Sequence, residues 1–280
     1  MISRPALRLL ATASAVIAAS LATAVPAAAL TPTITEFSAG LSPGNYPDVG
    51  IAPGPDGNVW FVEENGGKIG RITASGTIAE FPLTFPSLPT GITAGPDGNV
   101  WFTEADANKI GISTPAGSIS EKAVPTADAS LAAIAKGADG NLWFVEAIGK
   151  IARMTPAGVV TEFVIPTPNA NAKGIVAGAD GNLWFSEENA NKVGRCTTAG
   201  VITEFTLPTP TASPRELTVG ADSNVWFTEN SAAALGRIDS SGTITEFPVP
   251  ANPNGITRGP DGNIWFTEQL AGKIGRFLPP

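Results

Sequence analysis

Histidine is missing from all 280 residues, and the chain has one cysteine, one tyrosine and two methionines. Without histidine there is no Ser-His-Asp triad, no ordinary general base for neutral pH and not the usual zinc ligand set. A single cysteine, Cys196, excludes an intramolecular disulfide in any redox compartment. It stands where other copies of a repeat, described below, place Ile72, Met154, Ile238 and Phe277, so a buried small hydrophobe is expected there. Charge is scarce and lopsided: 17 Lys and Arg against 25 Asp and Glu give a net charge of −8. That sign offers no electrostatic basis for holding nucleic acid or an anionic membrane, and it suits solubility. Long helical patterns are absent too, because 31 Gly and 25 Pro interrupt the chain every few residues.

The one long apolar run is at the start. Arg4 and Arg8 precede "LLATASAVIAASLATAV" (9–25), and "AVPAAAL" ends it in small residues. This pattern predicts a secretory signal peptide over 1–29, cleaved after Ala29, leaving one domain over 30–280. The rival reading, an uncleaved membrane anchor, is disfavoured by a short, Ala-rich run followed by an A-x-A site. The protein is therefore expected to be secreted and extracellular, with no membrane insertion after cleavage.

What fills the rest is repetition. Trp60, Trp101, Trp143, Trp184, Trp226 and Trp265 recur at intervals of about 40 residues, each inside a copy of G-P/A-D-G/S-N-x-W-F-x-E. A strand-like repeat of this period predicts propeller blades of four strands. In 91–120, "GITAG" reads as the innermost strand and "NVWFTE" as the second, with D-G supplying the positive-φ residues of the hairpin between them. "KIGI" is the third strand and "GSIS" the outer one. Alternation sets Trp101 on one face and Val100 and Phe102 on the other, so both faces are apolar and each blade must be sandwiched. "ITEF" (34–37) matches the outer strands at 202–205 and 244–247, while the chain ends after a third strand, "KIGRF" (273–277). The expectation is an all-β, six-bladed propeller, closed by the N-terminal strand pairing with the last blade.

The composite of these copies resembles the streptogramin B lyases, the virginiamycin B lyase family, over almost the whole of 30–280. The resemblance implies seven-bladed, magnesium-dependent enzymes that open a cyclic depsipeptide by elimination at its ester. It implies His residues just before the G-I of inner strands, an acid two positions before one of them, and the Glu of W-F-x-E. Here those G-I positions hold Thr90, Ala132, Lys173, Arg215 and Asn254, Asn252 stands where the acid is implied, and only Glu268 matches.

Inner-strand starts and second-strand ends meet on one face of the disc. That face should gather Lys173, Arg215, Glu216, Asn252 and Asn254 with Glu63, Glu104, Glu146, Glu187, Glu229 and Glu268 at a funnel mouth. The plainest reading pairs each of these Glu with the hairpin Lys (Lys68, Lys109, Lys150, Lys192, Lys273) or with an adjacent backbone N–H. Blade five strains it, because Glu229 persists where Ala234 replaces Lys. The sharper reading makes Glu268, with Asn252 or Asn254, a candidate catalytic residue and ligand to Mg²⁺ or Ca²⁺, since these are oxygen donors. Lys173 and Arg215 could capture an anion or carboxylate. The repeated Asp residues (Asp56, Asp97, Asp139, Asp180, Asp222, Asp261) read as turn residues of the opposite face. Acids near inner-strand starts are few: Asp48 and Glu216. Two functions follow. One is a monomeric binding or interaction module for a small molecule or protein, without lyase activity. The other is a metal-dependent enzyme, either a divergent lyase or a lactonase-like hydrolase.

Overall fold

The computed structural model describes residues 37–43, 50–268 and 270–280. Six antiparallel sheets stand in a ring, spanning 51–82, 89–123, 131–164, 172–206, 214–248 and 253–277. The first five have four strands in sequence order and the sixth has three. This is a six-bladed β-propeller. Blade two shows the plan: Pro89–Ala94 innermost, then Val100–Glu104, Lys109–Ser113 and Ile119–Ala123. In its register Trp101 faces Ile112, Glu104 faces Lys109 and Gly111 faces Glu121.

The hairpin before each Trp is one residue longer than a two-residue positive-φ turn. Gly95 N donates to Asn99 O and only Gly98 has positive φ, at 79°. The Asp of the motif therefore supplies no backbone freedom. It is an acceptor: Asp97 Oδ1 takes the Trp101 indole N–H at 2.9 Å and Oδ2 takes Asn99 Nδ2 at 2.7 Å. Blade five has Ser223 in the glycine slot, held at φ 63° by the same geometry.

Five of the six Trp are buried between blades, and Trp265 of the last blade is only partly buried. Trp143 shares a core with Leu183, Phe185 and Cys196 of the next blade. On its own blade it stacks on the outer-strand Phe163 at 5.5 Å, with the Arg153 guanidinium 5.7 Å from its ring. Arg153 then donates to Thr198 O of blade four at 2.9 Å. Trp184 with Phe205 and Arg195 repeats this arrangement. A fully buried Trp removes enough apolar area for about 4–6 kcal/mol, so these wedges dominate the scaffold's stability.

The two end blades differ. Ile274 in blade six is 65 % exposed and Ile51 in blade one 70 %, whereas Ile110 and Ile151, the counterparts of Ile274, are fully buried. Those two side chains lie on blade faces with no described blade against them. The expected closing strand (34–37) falls outside the described residues except for Phe37, whose ring covers Gly76 of blade one as Phe81 covers Gly117 of blade two. The signal-peptide segment and Asp48 also lie outside them.

Cys196 is fully buried, with Sγ 3.4 Å from Thr197 O, and burial pushes its thiol up to about 12 against a small opposing effect of Arg153. It is expected to react with thiol reagents no faster than the blade interface opens. Stoichiometric labelling within seconds in native buffer would contradict this.

Candidate functional site

The innermost strands are not regular. In blades two to six they pair with the second strand through a register shift, between Pro89 and Ile92, Leu131 and Ile134, Ala172 and Ile175, Pro214 and Leu217, and Pro253 and Ile256. Two residues of each inner strand stand against one of the second strand and leave the ladder, as bulges do where a side chain is re-aimed. These are the positions of Thr90, Lys173, Arg215 with Glu216, and Asn254. The second-strand hydroxyl caps the freed backbone: Thr103 Oγ1 accepts from Gly91 N at 2.8 Å and donates to Ala132 O of blade three at 2.6 Å. Ser186 likewise accepts from Gly174 N and donates to Arg215 O, and Thr228 accepts from Glu216 N and donates to Asn254 O. The third residue of W-F-x-E is thus frequently a hydroxyl because it stitches one blade to the next.

The second bulge residue is glycine where the next inner strand passes close. A Cβ at Gly174 would lie 2.7 Å from Arg215 O. Blade five carries Glu216 in that slot instead. Its side chain enters an axial cavity of about 450 Å³ lined also by Thr90, Gly91, Ala132, Lys173 and Ile175. Glu216 is open to the water of this cavity yet ringed by protein. Desolvation raises its pKa, with Arg215 and then Lys173 opposing.

At the mouth, Glu188 organises the cations. Its Oε1 accepts from Arg215 Nε at 2.9 Å, Oε2 accepts from Asn171 Nδ2 at 2.9 Å, and Lys173 Nζ lies 3.9 Å away. Arg215 Nη1 also donates to Asn254 Oδ1 at 3.3 Å. Sequence reasoning missed Glu188. Its signal was present: an acid directly after the motif Glu, in the same copy as Lys173. The structure thus joins Lys173, Arg215, Glu216 and Asn254 around a residue not anticipated.

It does not join the remaining candidates to them. Asn252 is turned to Asn230 O at 2.6 Å. Glu268 is a buried strand end. The resemblance implies magnesium near these residues, but they do not fit it: the Arg215 guanidinium already holds the Asn254 oxygen, and Asn252 presents its amide nitrogen elsewhere. Among the described residues no three His, Cys, Asp or Glu gather as a metal site.

The motif Glu are not at an open mouth either. Glu104, Glu146, Glu187 and Glu229 are fully buried between blades, and neither oxygen of any of them has a hydrogen-bond partner. The expected pairing with the hairpin Lys is corrected: the Lys chooses the outer-strand Glu. Lys150–Glu162 is 2.6 Å and Lys192–Glu204 is 3.0 Å, and Lys109 pairs with Glu121. Both carboxyls lie on the lysine's face of the sheet, but only the outer one retains contact with water, where an ion pair keeps part of its hydration. Burial then raises the inner carboxyls, to about 7 at Glu104 and Glu146 and about 8 at Glu187 and Glu229, with the outer Glu of each blade adding to the shift.

The model of the virginiamycin B lyase family matches residues 25–173 and 86–279, in two overlapping passes, as a repeat protein can. The crystal structure of virginiamycin B lyase from Staphylococcus aureus is similar at 44 % identity and TM-score 0.78, over 82 % of this chain and 80 % of that one. A streptogramin B lyase structure is similar at 41 % identity and TM-score 0.77, over 81 % and 77 %. A catalytically inactive histidine-to-alanine variant of the Staphylococcus aureus enzyme, with quinupristin, matches at 44 % and covers the same shares. A putative gluconolactonase, 16 % identical with TM-score 0.60 over 87 % and 96 %, shares the fold alone. Among curated proteins none matches.

Proposed function

The chain belongs to the virginiamycin B lyase family, and from that premise we propose that it is a secreted binding member of the family that does not linearise streptogramin B antibiotics. One observation carries this reading. At the inner-strand positions where the resemblance implies proton-transferring residues, this chain places Arg215, locked to Glu188 and to Asn254. Arg stays protonated at neutral pH and Asn is neither acid nor base, so neither can take the proton that an elimination requires. The similar Staphylococcus aureus enzyme is inactive when one histidine becomes alanine, and this chain contains no histidine.

The cluster can instead orient an anionic ligand. Lys173 lines the axial cavity of mostly small and apolar groups, and Arg215, which shares Glu188 with that lysine, spends only Nε and Nη1 on protein acceptors. A small molecule bearing a carboxylate fits the remaining guanidinium edge.

Quinupristin incubated with the purified protein and Mg²⁺ is expected to stay intact by mass spectrometry. Ring-opened, dehydrated product formed with turnover would overturn the proposal. A thermal-shift panel of small carboxylates should find a stabilising ligand whose effect is lost in Arg215→Ala. Stabilisation that survives both Arg215→Ala and Lys173→Ala would place the ligand elsewhere.

A further inference from the structure

The repeat supplies an internal control for one position. In blade one Lys68 Nζ lies 2.5 Å from Glu80 Oε2 and 2.5 Å from Ser42 Oγ. In blade three Lys150 Nζ bonds Glu162 at 2.6 Å and Thr126 Oγ1 at 2.5 Å. In blade four Lys192 Nζ bonds Glu204 at 3.0 Å and Thr167 Oγ1 at 2.6 Å. Each ammonium is therefore seated between an outer-strand carboxylate and a linker hydroxyl.

Blade five keeps every acceptor of that seat. Thr209 Oγ1 contacts Glu246 Oε2 at 2.6 Å, and Thr209 N donates to Oε1 at 2.9 Å. The register is unchanged: residue 234 still stands between Glu229 and Pro248. The residue there is Ala234, so the ammonium is gone. Behind the seat Glu229 is fully buried with both oxygens unpartnered, and the one charged group acting on it is Glu246. Two carboxyls face each other where three other blades place a positive charge beside the same hydroxyl. A buried, unpartnered carboxyl beside a second carboxylate is costly unless a cation or a proton resides there.

We propose that blade five binds an exogenous monovalent cation of ammonium size, K⁺ or NH₄⁺, held by Glu246 and Thr209 Oγ1 in place of the lysine Nζ, with Glu229 behind it. The class follows from the other blades. Their seat accepts one positive charge at 2.5–3.0 Å from oxygen. Mg²⁺ demands near-octahedral oxygen ligands and keeps its waters, which a seat built for one ammonium does not supply. The ion would neutralise Glu246 and allow Glu229 to ionise without leaving two bare charges.

The test compares unfolding at pH 8.5 in about 0.1 M KCl or NH₄Cl with equal tetramethylammonium chloride, so that screening is matched. One bound ion predicts about a tenfold gain in the folded-to-unfolded ratio for each tenfold rise in K⁺ above its dissociation constant. The gain should shrink at pH 5, where a proton on Glu229 competes, and vanish in Ala234→Lys and in Glu246→Gln. ²⁰⁵Tl⁺, a K⁺ substitute, should give a bound NMR signal in the unmodified protein that KCl displaces and Glu246→Gln removes. Equal stability in all three salts, or a K⁺ effect that persists in Ala234→Lys or, should that variant not fold, in Glu246→Gln, would overturn the proposal. This site is separate from the mouth cluster, so its outcome is independent of the antibiotic assay.

Discussion

Raising the pH from 5 to 8.5 is expected to lower the stability of this protein by several kcal/mol, the reverse of the usual behaviour of carboxylates. Glu104, Glu146, Glu187 and Glu229 sit between blades with folded-state pKa values of about 7, 7, 8 and 8 against an ordinary 4.5. In the unfolded chain they ionise near 4.5. Between that pH and their folded pKa the native state binds more protons than the unfolded state, so stability falls as pH rises. Above about pH 8 the loss levels off. Each group contributes about 1–3 kcal/mol at one to two effective pKa units. The opposite limb lies in acid. Glu80, lowered to about 2 by Lys68 and Ser42 despite desolvation, and Glu162 and Glu204, also lowered, give stability that is full above 4.5 and lost as pH falls through their folded values. A stability maximum near pH 5 follows. Urea titrations across pH 4–9 measure it. Glu187→Gln, a neutral isostere, should match the parent at pH 5 and exceed it by about 1–3 kcal/mol at pH 8.5. Parallel curves for the two proteins would refute the assignment of the alkaline limb.

These buried carboxyls mark where reading the sequence stopped being sufficient. The period of the Trp residues, the four strands of a blade and the face alternation of Val100, Trp101 and Phe102 were legible, because spacing and polarity alone determine them. The partner of each lysine was not. Glu104 and Glu121 both lie on Lys109's face of blade two, one across each neighbouring strand, and sequence cannot tell which of the two keeps water. Nor was the site architecture legible. Lys173, Arg215 and Asn254 stood out as places where copies disagree, but the bulge that turns them into the axis is a feature of register. Glu188 was not legible because it stands directly after Glu187, whose repetition reflects the scaffold. Glu268 matched the family's motif and stands, like Glu104 and its counterparts, at a buried strand end, since a motif fixes residue type and not the company it keeps.

The glycines of the repeat separate what is obligatory from what is customary, and they give the second large effect. Gly95→Ala is expected to cost about 2–4 kcal/mol, while Gly111→Ala in the same blade should cost clearly less. A Cβ at Gly95 would lie 2.2 Å from Trp101 Cδ1, 2.3 Å from its Nε1 and 2.7 Å from Asp97 Oδ1. None of these can retreat. Trp101 is fully buried against blade three, and its N–H is bonded to that same Asp97 oxygen. The added methyl must therefore break a buried hydrogen bond or lift the wedge from its core, and all six copies keep glycine there. At Gly111 the added Cβ meets the Phe102 ring at 2.1 Å, which looks equally severe. Blade three answers otherwise. It carries Ala152 at this position, fully buried opposite Phe144, inside a regular four-stranded sheet. A ring with no polar anchor can tilt away from a methyl, whereas an indole tied to Asp cannot. In a chain of this size each kcal/mol moves the melting temperature by about 2–4 °C, so the two variants should be separable by calorimetry. Equal losses would mean that the Trp–Asp bond does not fix the wedge, and that the glycine before each turn is retained for backbone reasons alone.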